Sequence, residues 1–312
     1  MILLLGAIPP PLGGVAVYCL RRLKFLESND VEHVYYDSRK KASLVKLVLN
    51  SVWMVLCRKK FTIELNVSNP IVLLLFTVLR LNRFTVFIDH NGSRRLTSSS
   101  IRKRIFFSFQ SNLKAIKIVN NALQENYCDK ARKKIELVSP FLPPTEEELN
   151  ESIINFPSKY SHLLSVYERK IIITTAWKPI DTDDEPDLYG LLDSINIYSK
   201  LIPLHSDYIF VLMIGQFDDN ELSRKIKCRL KDLSVFDNFI FITGGVSQLP
   251  LLDKTRILLR LTKTDGDSVS VREAIYYGSY VIASNVTNRP DGVITVPNGD
   301  VNSVLQIIHD LL

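Results

Sequence analysis

Short runs of apolar residues alternate along the chain with longer amphipathic segments, and this alternation predicts a fold of the α/β class. In the first half the predicted order is strand 2–5, helix 15–27, strand 33–36, helix 43–57, strand 61–67, helix 71–81 and strand 84–89, followed by strands 115–119 and 135–138. The helical segments repeat their apolar residues every three or four positions, the period of a helix with one buried face. Strands that alternate with helices at this spacing indicate a parallel sheet covered on both faces.

A second series of the same kind follows the proline-rich segment SPFLPP at 139–144. Strands are predicted at 170–174, 208–214, 239–243, 255–261, 280–283 and 292–296, with helices at 188–201, 221–233 and from 300. A chain of 312 residues exceeds what one hydrophobic core usually serves. We therefore predict two Rossmann-like lobes, 1–139 and 140–312, that face each other across a central cleft, with residues 140–168 as a linker.

The segment 264–278, TDGDSVSVREAIYYG, joins a predicted strand to a predicted helix and carries two acidic residues eight positions apart, Asp265 and Glu273. Ser268 is placed to cap this helix and Gly278 to end it. A helix N-terminus preceded by the flexible Gly266 offers backbone N–H groups and a positive dipole end, which suit a phosphate. The residues alone therefore predict a nucleotide-diphosphate site in this turn.

Two further candidates follow predicted strand ends in the first half. Gly13 and Gly14 lie where helix 15–27 begins, and glycine lets another molecule approach the backbone closely. His90 follows strand 84–89 in the motif DHNGS, and ligands of parallel sheets bind beyond the carboxyl ends of the strands. Glycine-rich turns after a first strand are common, and a histidine in such a loop can simply cap the turn, so both alternatives stay open.

Two helical segments carry expectations about which side chains face the core. In helix 43–57 we expect the inward residues to be Leu44, Leu47, Val48, Val52, Val55 and Leu56. The basic segment IRKRIFFSFQ at 101–110 has two interpretations. Its phenylalanines and cations could form an interfacial patch that meets lipid head groups, or the phenylalanines could pack on the sheet while the charges stay in water.

Charge is distributed unevenly between the two halves. The net charge is +6, but residues 1–160 contain 24 lysines and arginines against 13 carboxylates, and residues 161–312 contain 15 against 20. A basic first lobe points to an anionic partner, either an acidic membrane surface or a nucleic acid, or else to a solvated surface with no partner. Metal-finger cysteines and a recognition-helix signature are absent from the sequence, so we expect no nucleic acid.

The cysteines and the apolar segments indicate where in the cell the protein is expected. Cys19, Cys57, Cys128 and Cys228 are far apart and form no CxxC pair, so we expect reduced core thiols in a cytoplasmic protein. The first seven residues look like a buried strand and not a targeting segment. The longest apolar run, 71–79, is about half of the ~20 residues that span a bilayer, so any membrane contact is expected to be peripheral.

Taken together, these features resemble glycosyltransferase family 4, whose members have the GT-B fold. The resemblance rests on two Rossmann-like lobes, PPLGG at 10–14, His90 after the fourth strand, TDGDSVSVREAIYYGSYVIAS at 264–284 and NRPDGVITVPNGD at 288–300. It implies that Glu273 binds the ribose hydroxyls of the donor nucleotide and that Asp265 contacts the donor sugar. It also implies that N–H groups around Asp267, Ser268 and Val269 hold the terminal phosphate.

For the first lobe, the resemblance implies that Gly13 and Gly14 approach the diphosphate and the acceptor. It also implies that His90 lines the donor sugar, where it is a candidate general base or a contact to the sugar. Two positions depart from the family pattern. Asp265 stands where the family usually has glutamate, and the usual arginine before Lys178 is replaced by Ile173. Because a cation is needed on the leaving diphosphate, Lys178 is the candidate, with Lys263 and Arg272 in reserve.

The implied reaction is transfer of a sugar from a nucleotide-diphosphate donor to a hydroxyl, with anomeric retention. A lysine and a helix N-terminus can stabilise the leaving diphosphate, so we expect neither a metal nor another cofactor. The alternative is a divalent cation held by D-x-D, a motif present at Asp265-Gly-Asp267 and in DTDDEPD at 181–187.

The acceptor is expected to be a saccharide, lipid-linked at the inner membrane face, in surface-polysaccharide synthesis. Three alternatives remain open. The chain could be a catalytically silent partner subunit, a sugar-nucleotide epimerase of the same fold, or a nucleic-acid-binding protein.

Overall fold

A computed structural model of the chain describes residues 1–10, 13–181 and 186–312. It divides into two units, Met1–Leu142 and Pro143–Leu312. Each unit contains one six-stranded sheet in which every neighbouring pair of strands is parallel. The predicted fold class, α/β with two parallel sheets, is therefore confirmed.

The first unit alternates strands and helices along the chain. Its elements are β1 (Ile2–Gly6), α1 (Gly14–Ser28), β2 (His33–Asp37), α2 (Lys41–Leu56), β3 (Thr62–Leu65), α3 (Pro70–Val78), β4 (Thr85–Asp89), α4 (Ser93–Thr97), α5 (Ser100–Gln110), β5 (Ala115–Ile118), α6 (Asp129–Arg132) and β6 (Ile135–Leu137). Short 3-10 helices cover Leu81–Phe84 and Asn121–Asn126. The sheet order is β2-β1-β3-β4-β5-β6.

Both faces of this sheet are covered, because successive residues of a strand point to opposite sides. Leu3 and Leu5 of β1 belong to the core formed with α2, α3 and α5, whereas Leu4 belongs to a second core formed with α1. At the end of β1 the two layers come close together. A Cβ atom added at Gly6 would lie 2.5 Å from Sγ of Cys19, so the glycine is required for α1 to pack on this strand.

The second unit repeats the pattern. Its elements are α7 (Glu146–Ile154), a 3-10 helix (Ser158–Ser165), β7 (Ile171–Ala176), α8 (Leu191–Leu201), β8 (Ile209–Ile214), α9 (Glu221–Leu233), β9 (Phe239–Thr243), α10 (Leu249–Leu252), β10 (Thr255–Arg260), α11 (Val269–Tyr276), β11 (Tyr280–Ser284), β12 (Val293–Val296) and α12 (Val301–Leu311). The sheet order is β12-β11-β10-β7-β8-β9. Ile172 and Ile173 of β7 pack into separate cores on the two faces.

One predicted helix face is only partly correct: Leu44, Leu47 and Val48 do pack on the core of the first unit. In α2 the residues Val52, Val55 and Leu56 are exposed, whereas Leu47 and Met54 are buried. Eleven of the 16 residues of this helix are apolar, and from Val52 to Leu56 every residue is, so the periodicity did not single out the face that packs on the sheet there. The consequence is an apolar surface on the outer side of the first unit.

The phenylalanines of α5 follow the packing interpretation. Phe106 and Phe109 are fully buried in the core of the first unit, and Phe107 remains partly exposed. The expectation of core thiols holds for Cys19 but is wrong for Cys57 and Cys228, whose side chains are exposed. No helix in the described part of the chain combines the length and the apolar character needed to cross a bilayer.

Candidate functional site

In the second unit, the candidate residues collect at the carboxyl edge of the sheet. Strands β7 and β10 are parallel neighbours, with Thr174 opposite Leu259. Lys178 follows the end of β7, and Asp265 to Ser268 lie between β10 and α11. Because parallel strands end at the same edge, the sheet places both connections side by side.

The carboxylate of Asp265 is the centre of a buried ion cluster. Arg260 donates Nε and Nη2 to its two oxygens at 3.0 and 3.1 Å, and Arg289 donates Nη1 at 2.8 Å. The Thr262 hydroxyl at 3.4 Å and the Gly266 amide at 3.0 Å complete the set of donors. The Asp265 side chain is 10% exposed and the Arg289 side chain 3%. Since a carboxylate has about four lone-pair positions, these donors use its capacity to accept hydrogen bonds.

The two arginines decide the charge on Asp265. Burial alone would raise the pKa of Asp265, but the charges and hydrogen bonds of Arg260 and Arg289 outweigh burial, and its pKa lies below the ordinary value. Arg260 also lies over the ring of Tyr189, 5.2 Å from the ring centre. The cluster therefore ties the end of β10 to the turn before α11 and to the loop after β11.

Of the three cations considered for the diphosphate, two form ion pairs within the protein. Lys263 forms an ion pair with Asp193 at 3.0 Å. Arg272 pairs with Asp267, whose oxygens accept Nε at 2.7 and 2.9 Å and Nη2 at 2.5 Å. Lys178 is partly exposed and forms no ion pair with any residue that the structure describes. Of these three cations, Lys178 is the one available to a ligand.

The N-terminus of α11 is open to an acceptor from outside the protein. Ser268 occupies the cap position, but its hydroxyl lies 2.9 Å from the Ser270 hydroxyl and makes no capping hydrogen bond. The first turn holds no acidic residue. Among the described residues, none accepts a hydrogen bond from the N–H groups of Val269, Ser270 and Val271. These groups and the helix dipole can therefore receive an anion.

Glu273 lies further along α11 and is buried, with 5% of its surface exposed. Its Oε2 accepts a hydrogen bond of 2.7 Å from Nε2 of Gln248, the residue that precedes α10. Because the carboxylate requires the NH₂ group of the amide, the amide oxygen must point elsewhere. That atom, Oε1 of Gln248, is buried and has no hydrogen-bond partner in the described part of the chain. The pair thus has an acceptor left over for a donor group of a ligand.

In the first unit, His90 lies between the ends of β3 and β4 and the beginning of α1. Its Nε2 lies 3.0 Å from Oδ1 of Asn66, and its ring meets the Tyr18 ring edge-on with centroids 4.8 Å apart. Burial lowers the pKa of His90 to about 4, so the imidazole is neutral at pH 7. A neutral imidazole can donate and accept hydrogen bonds, but at this pKa it is a weak proton acceptor.

The glycine pair lies at the start of α1, the helix that carries Tyr18. Gly13 occupies the cap position with extended backbone angles, and Gly14 is the first helical residue. A Cβ atom added at Gly13 would meet no atom of the described residues within 4 Å. The space beside this backbone is therefore available to a ligand, and the fold itself does not require glycine at this position.

Several side chains of these sites were not found from the sequence. Arg260 had a recognisable signal, since it is a charged residue at the end of an apolar strand and stands five positions before an aspartate. Arg289 lies in the stretch 288–300 that contributed to the resemblance, and Asn66 lies near the carboxyl end of predicted strand 61–67, but neither was singled out. Gln248 had no signal, because it comes from a loop and only the fold brings it to Glu273.

The two D-x-D motifs considered as metal sites are Asp265-Gly-Asp267 and the segment 181–187. Among the described residues, no group of three or more histidines, cysteines and carboxylates has the arrangement of a metal site. In Asp265-Gly-Asp267 both carboxylates are occupied by arginines. The motif at 181–187 falls largely on residues 182–185, which lie outside the described residues.

Comparison with known proteins identifies the fold. No family model and no curated protein matches the chain. HepE of Anabaena with bound UDP-glucose superposes with a TM-score of 0.65 at 12% identity, covering 99% of this chain and 89% of that one. An E. coli structure with bound UDP-2-fluoro glucose gives 0.64 at 10%, covering 100% and 91%. Sucrose-phosphate synthase of Thermosynechococcus elongatus gives 0.63 at 12%, covering 100% and 89%. The chain has the GT-B fold, as predicted.

The buried imidazole predicts a pH dependence of stability. Between the folded pKa of about 4 and the ordinary value near 6.5, the unfolded chain binds the extra proton. Protonation therefore favours unfolding. We expect the free energy of unfolding to fall by about 1–3 kcal/mol as the pH is lowered from 6.5 to 4, measured by urea titration. His90→Gln should reduce this slope, and exposed His162→Gln should not; equal slopes in all three proteins would contradict the assignment.

The ion cluster predicts that a conservative substitution of Asp265 causes a large loss of stability. Asp265→Asn keeps the size of the side chain but leaves Arg260 and Arg289 without a counter-charge, so unfolding by urea should require about 3–5 kcal/mol less free energy. The matched control is Asp253→Asn, which removes an exposed partner of Lys254 and should change stability by less than about 1 kcal/mol. A loss as small as the control's would show that the arginines do not depend on Asp265.

Proposed function

We propose that the chain is a glycosyltransferase that transfers a sugar from a nucleotide-diphosphate donor to a hydroxyl of a saccharide. The observation that carries this proposal is the open N-terminus of α11 beside the unpaired Lys178, at the carboxyl edge of the second sheet. It is supported by similar solved structures that hold UDP-glucose or UDP-2-fluoro glucose.

The donor's diphosphate is the group that this edge can stabilise. The N–H groups that begin α11 supply fixed donors and a positive dipole end, and Lys178 supplies a full charge. Negative charge builds up on the diphosphate as the bond to the sugar breaks, so donors already in place lower the barrier to transfer. In this proposal a metal is not needed for that task.

The nucleoside is assigned to Glu273 and Gln248. Glu273 can accept hydrogen bonds from ribose hydroxyls, and the unpaired Oε1 of Gln248 can accept one from a ribose hydroxyl or a base N–H. The hydrogen bond between them is formed before a ligand arrives, which lowers the entropy lost on binding.

The role of Asp265 is proposed to be indirect. Its oxygens already accept hydrogen bonds from two arginines, so contact with the donor sugar would require one of these bonds to be exchanged. We propose that Asp265 acts chiefly as a positioning residue for the turn Gly266–Ser268, which carries the phosphate-binding backbone into α11.

The transfer step is proposed to retain the anomeric configuration. The bond between the anomeric carbon and the phosphate oxygen breaks while a bond to the acceptor oxygen forms on the same face of the sugar. The acceptor's proton passes to the departing phosphate oxygen, so no protein nucleophile is required. Gly13, Gly14 and His90 are proposed to contact the substrates, with His90 as a neutral hydrogen-bonding group.

The biological setting is part of the same proposal. We place the chain in glycosyltransferase family 4, acting in the cytoplasm on a lipid-linked saccharide that is destined for a surface polysaccharide. The basic first unit supports an acceptor near an anionic membrane surface, because cations concentrate at such surfaces.

The proposal is tested by nucleotide release from a panel of UDP-, GDP-, ADP- and dTDP-sugars, with saccharide acceptors and with EDTA present. We expect release from at least one donor. Lys178→Met should lower kcat about 100-fold, the order of magnitude for removing one charge-stabilising donor. Lys200→Met, which removes an exposed lysine of α8, should leave kcat unchanged.

Donor binding without release would favour a silent subunit, and conversion of the donor without an acceptor would favour an epimerase. Release that disappears in EDTA and returns with manganese would contradict the metal-free diphosphate site.

A further inference from the structure

Helix α2 turns an apolar stripe away from the protein. Val45, Leu49, Trp53 and Leu56 are 57, 65, 60 and 73% exposed. Their spacing of four, four and three residues places them on one side of the helix. The opposite side, with Leu47 and Met54, packs on the sheet. The helix is therefore apolar on both sides, and only one side is covered by the described residues.

Helices α3 and α5 continue this surface. Leu47 of α2, Leu73 of α3 and Phe106 of α5 belong to the same core, so the three helices cover the same face of the first sheet. On their outer sides, α3 exposes Ile71 and Val78 and α5 exposes Ile101, at 75, 70 and 74%. We call the exposed sides of these three helices the outer layer.

The three helices of the outer layer carry no acidic residue. Residues 38–124 contain 16 lysines and arginines and only two carboxylates, Glu64 and Asp89. Both carboxylates are buried: Glu64 pairs with Arg22, and Asp89 accepts hydrogen bonds from the Tyr127 hydroxyl and from the Ser93 amide. The outer layer therefore presents aliphatic and cationic groups with no exposed acid among them.

Two groups of cations lie at the ends of the helices of the outer layer. The residues Arg58, Lys59 and Lys60 directly follow α2 and are exposed, and none pairs with a described carboxylate. Between the ends of α3 and α5 lies a pocket of about 480 Å³, lined by Arg80, Arg83, Lys130 and Lys134 together with hydroxyls of Ser108 and Ser111. This lining suits a phosphate group.

We propose that the outer layer is the surface by which this protein docks on an anionic lipid membrane. Aliphatic side chains and a tryptophan can enter the interface of a bilayer, while the surrounding cations meet acidic head groups and the pocket receives one lipid phosphate.

The composition of the surface argues against other partners. A nucleic acid would leave the leucines and valines in contact with a polar ligand. A second copy of the chain, joined through the same face, would bring two sets of positive charges together. Within the proposed function, the surface gives access to a lipid-linked acceptor, but vesicle binding can be measured whether or not transfer occurs.

The assignment differs from the segment that the sequence suggested. The segment IRKRIFFSFQ forms α5, but Phe106 and Phe109 are buried. It contributes Ile101 and its cations to the outer layer, whereas the main apolar contact comes from α2.

The experiment is co-sedimentation of the whole protein with vesicles of phosphatidylcholine alone or with added phosphatidylglycerol. We expect binding to the anionic vesicles, weakened by salt, and little binding to phosphatidylcholine. The double variant Leu49→Glu/Leu56→Glu should bind at least about tenfold more weakly. It replaces two leucines that would enter the bilayer by carboxylates, which the anionic head groups repel. The matched control is Leu204→Glu/Val235→Glu, whose parent residues are each 74% exposed in the second unit.

A charge variant and a spectroscopic signal complete the test. Reversal of Arg58, Lys59 and Lys60 to glutamate should weaken binding at least about 100-fold, at roughly fivefold per charge removed. The same reversal of Arg224, Arg229 and Lys231 in α9 should have little effect. Vesicles should shift the emission of Trp53 to shorter wavelength, and the shift should vanish in Trp53→Phe.

The proposal is overturned if the protein stays in the supernatant with anionic vesicles at low salt, or if the control variants lose binding equally. It is also overturned if the apolar stripe proves to be a dimer interface, seen as a dimer that Leu49→Glu/Leu56→Glu dissociates without any vesicle binding. UDP-glucose binding by calorimetry, measured on the same variants, should equal that of the unaltered chain. Failure of the unaltered chain to bind any nucleotide sugar of the panel would contradict the proposed function and leave the docking surface standing.

Discussion

The second unit depends on one buried ion cluster, in which Asp265 is held between Arg260 and Arg289. Three charges with little solvent access are tolerated because each side chain of the cluster has a partner of opposite sign and hydrogen bonds in good geometry. Arg260 ends β10 and Arg289 belongs to the loop after the neighbouring strand β11, so the aspartate fixes this loop to the end of β10. Because Asp265 is fixed, the turn from Asp265 into α11 has a fixed position too. The open N-terminus of α11 is therefore already oriented for a ligand.

Much of this fold could be predicted from the sequence, for reasons that can be stated for particular elements. Strands such as 239–243 and helices such as 221–233 agree with the structure at both ends, because a short apolar run and a strongly amphipathic segment have few alternatives. The turn 264–278 was located because a strand, a glycine, a cap residue and a helix follow one another. In helix α2 the same reasoning was right for Leu47 and wrong for Val55 and Leu56, since the last turns of this helix are apolar on both sides and have no hydrophobic periodicity.

The site shows where such reasoning ends. The positions of Asp265 and Glu273 followed from local pattern, but what each carboxylate touches did not. Asp265 meets an arginine 24 positions away and Glu273 meets a glutamine 25 positions away. These contacts are set by strand order, which brings distant loops to one sheet edge, and they change the interpretation of both residues. Glu273 keeps a ligand-facing role in the proposal because its partner has an unpaired acceptor, whereas the oxygens of Asp265 are already engaged. Similarly, the sequence showed an excess of positive charge in the first half but not where it lies on the surface. The structure shows that both acidic residues between 38 and 124 are buried, so the exposed charges of that segment are positive.

The central claim is that the edge formed by β7, β10 and α11 holds the diphosphate of a nucleotide. Calorimetric titration of the whole protein with UDP and with UMP tests this claim most directly, because the two ligands differ only in the terminal phosphate. If the N–H groups of α11 and Lys178 receive that phosphate, UDP should bind at least about tenfold more tightly than UMP, and Lys178→Met should remove most of the difference. Equal affinities for the two nucleotides, or binding of neither together with the absence of binding to any other nucleoside diphosphate, would contradict the account.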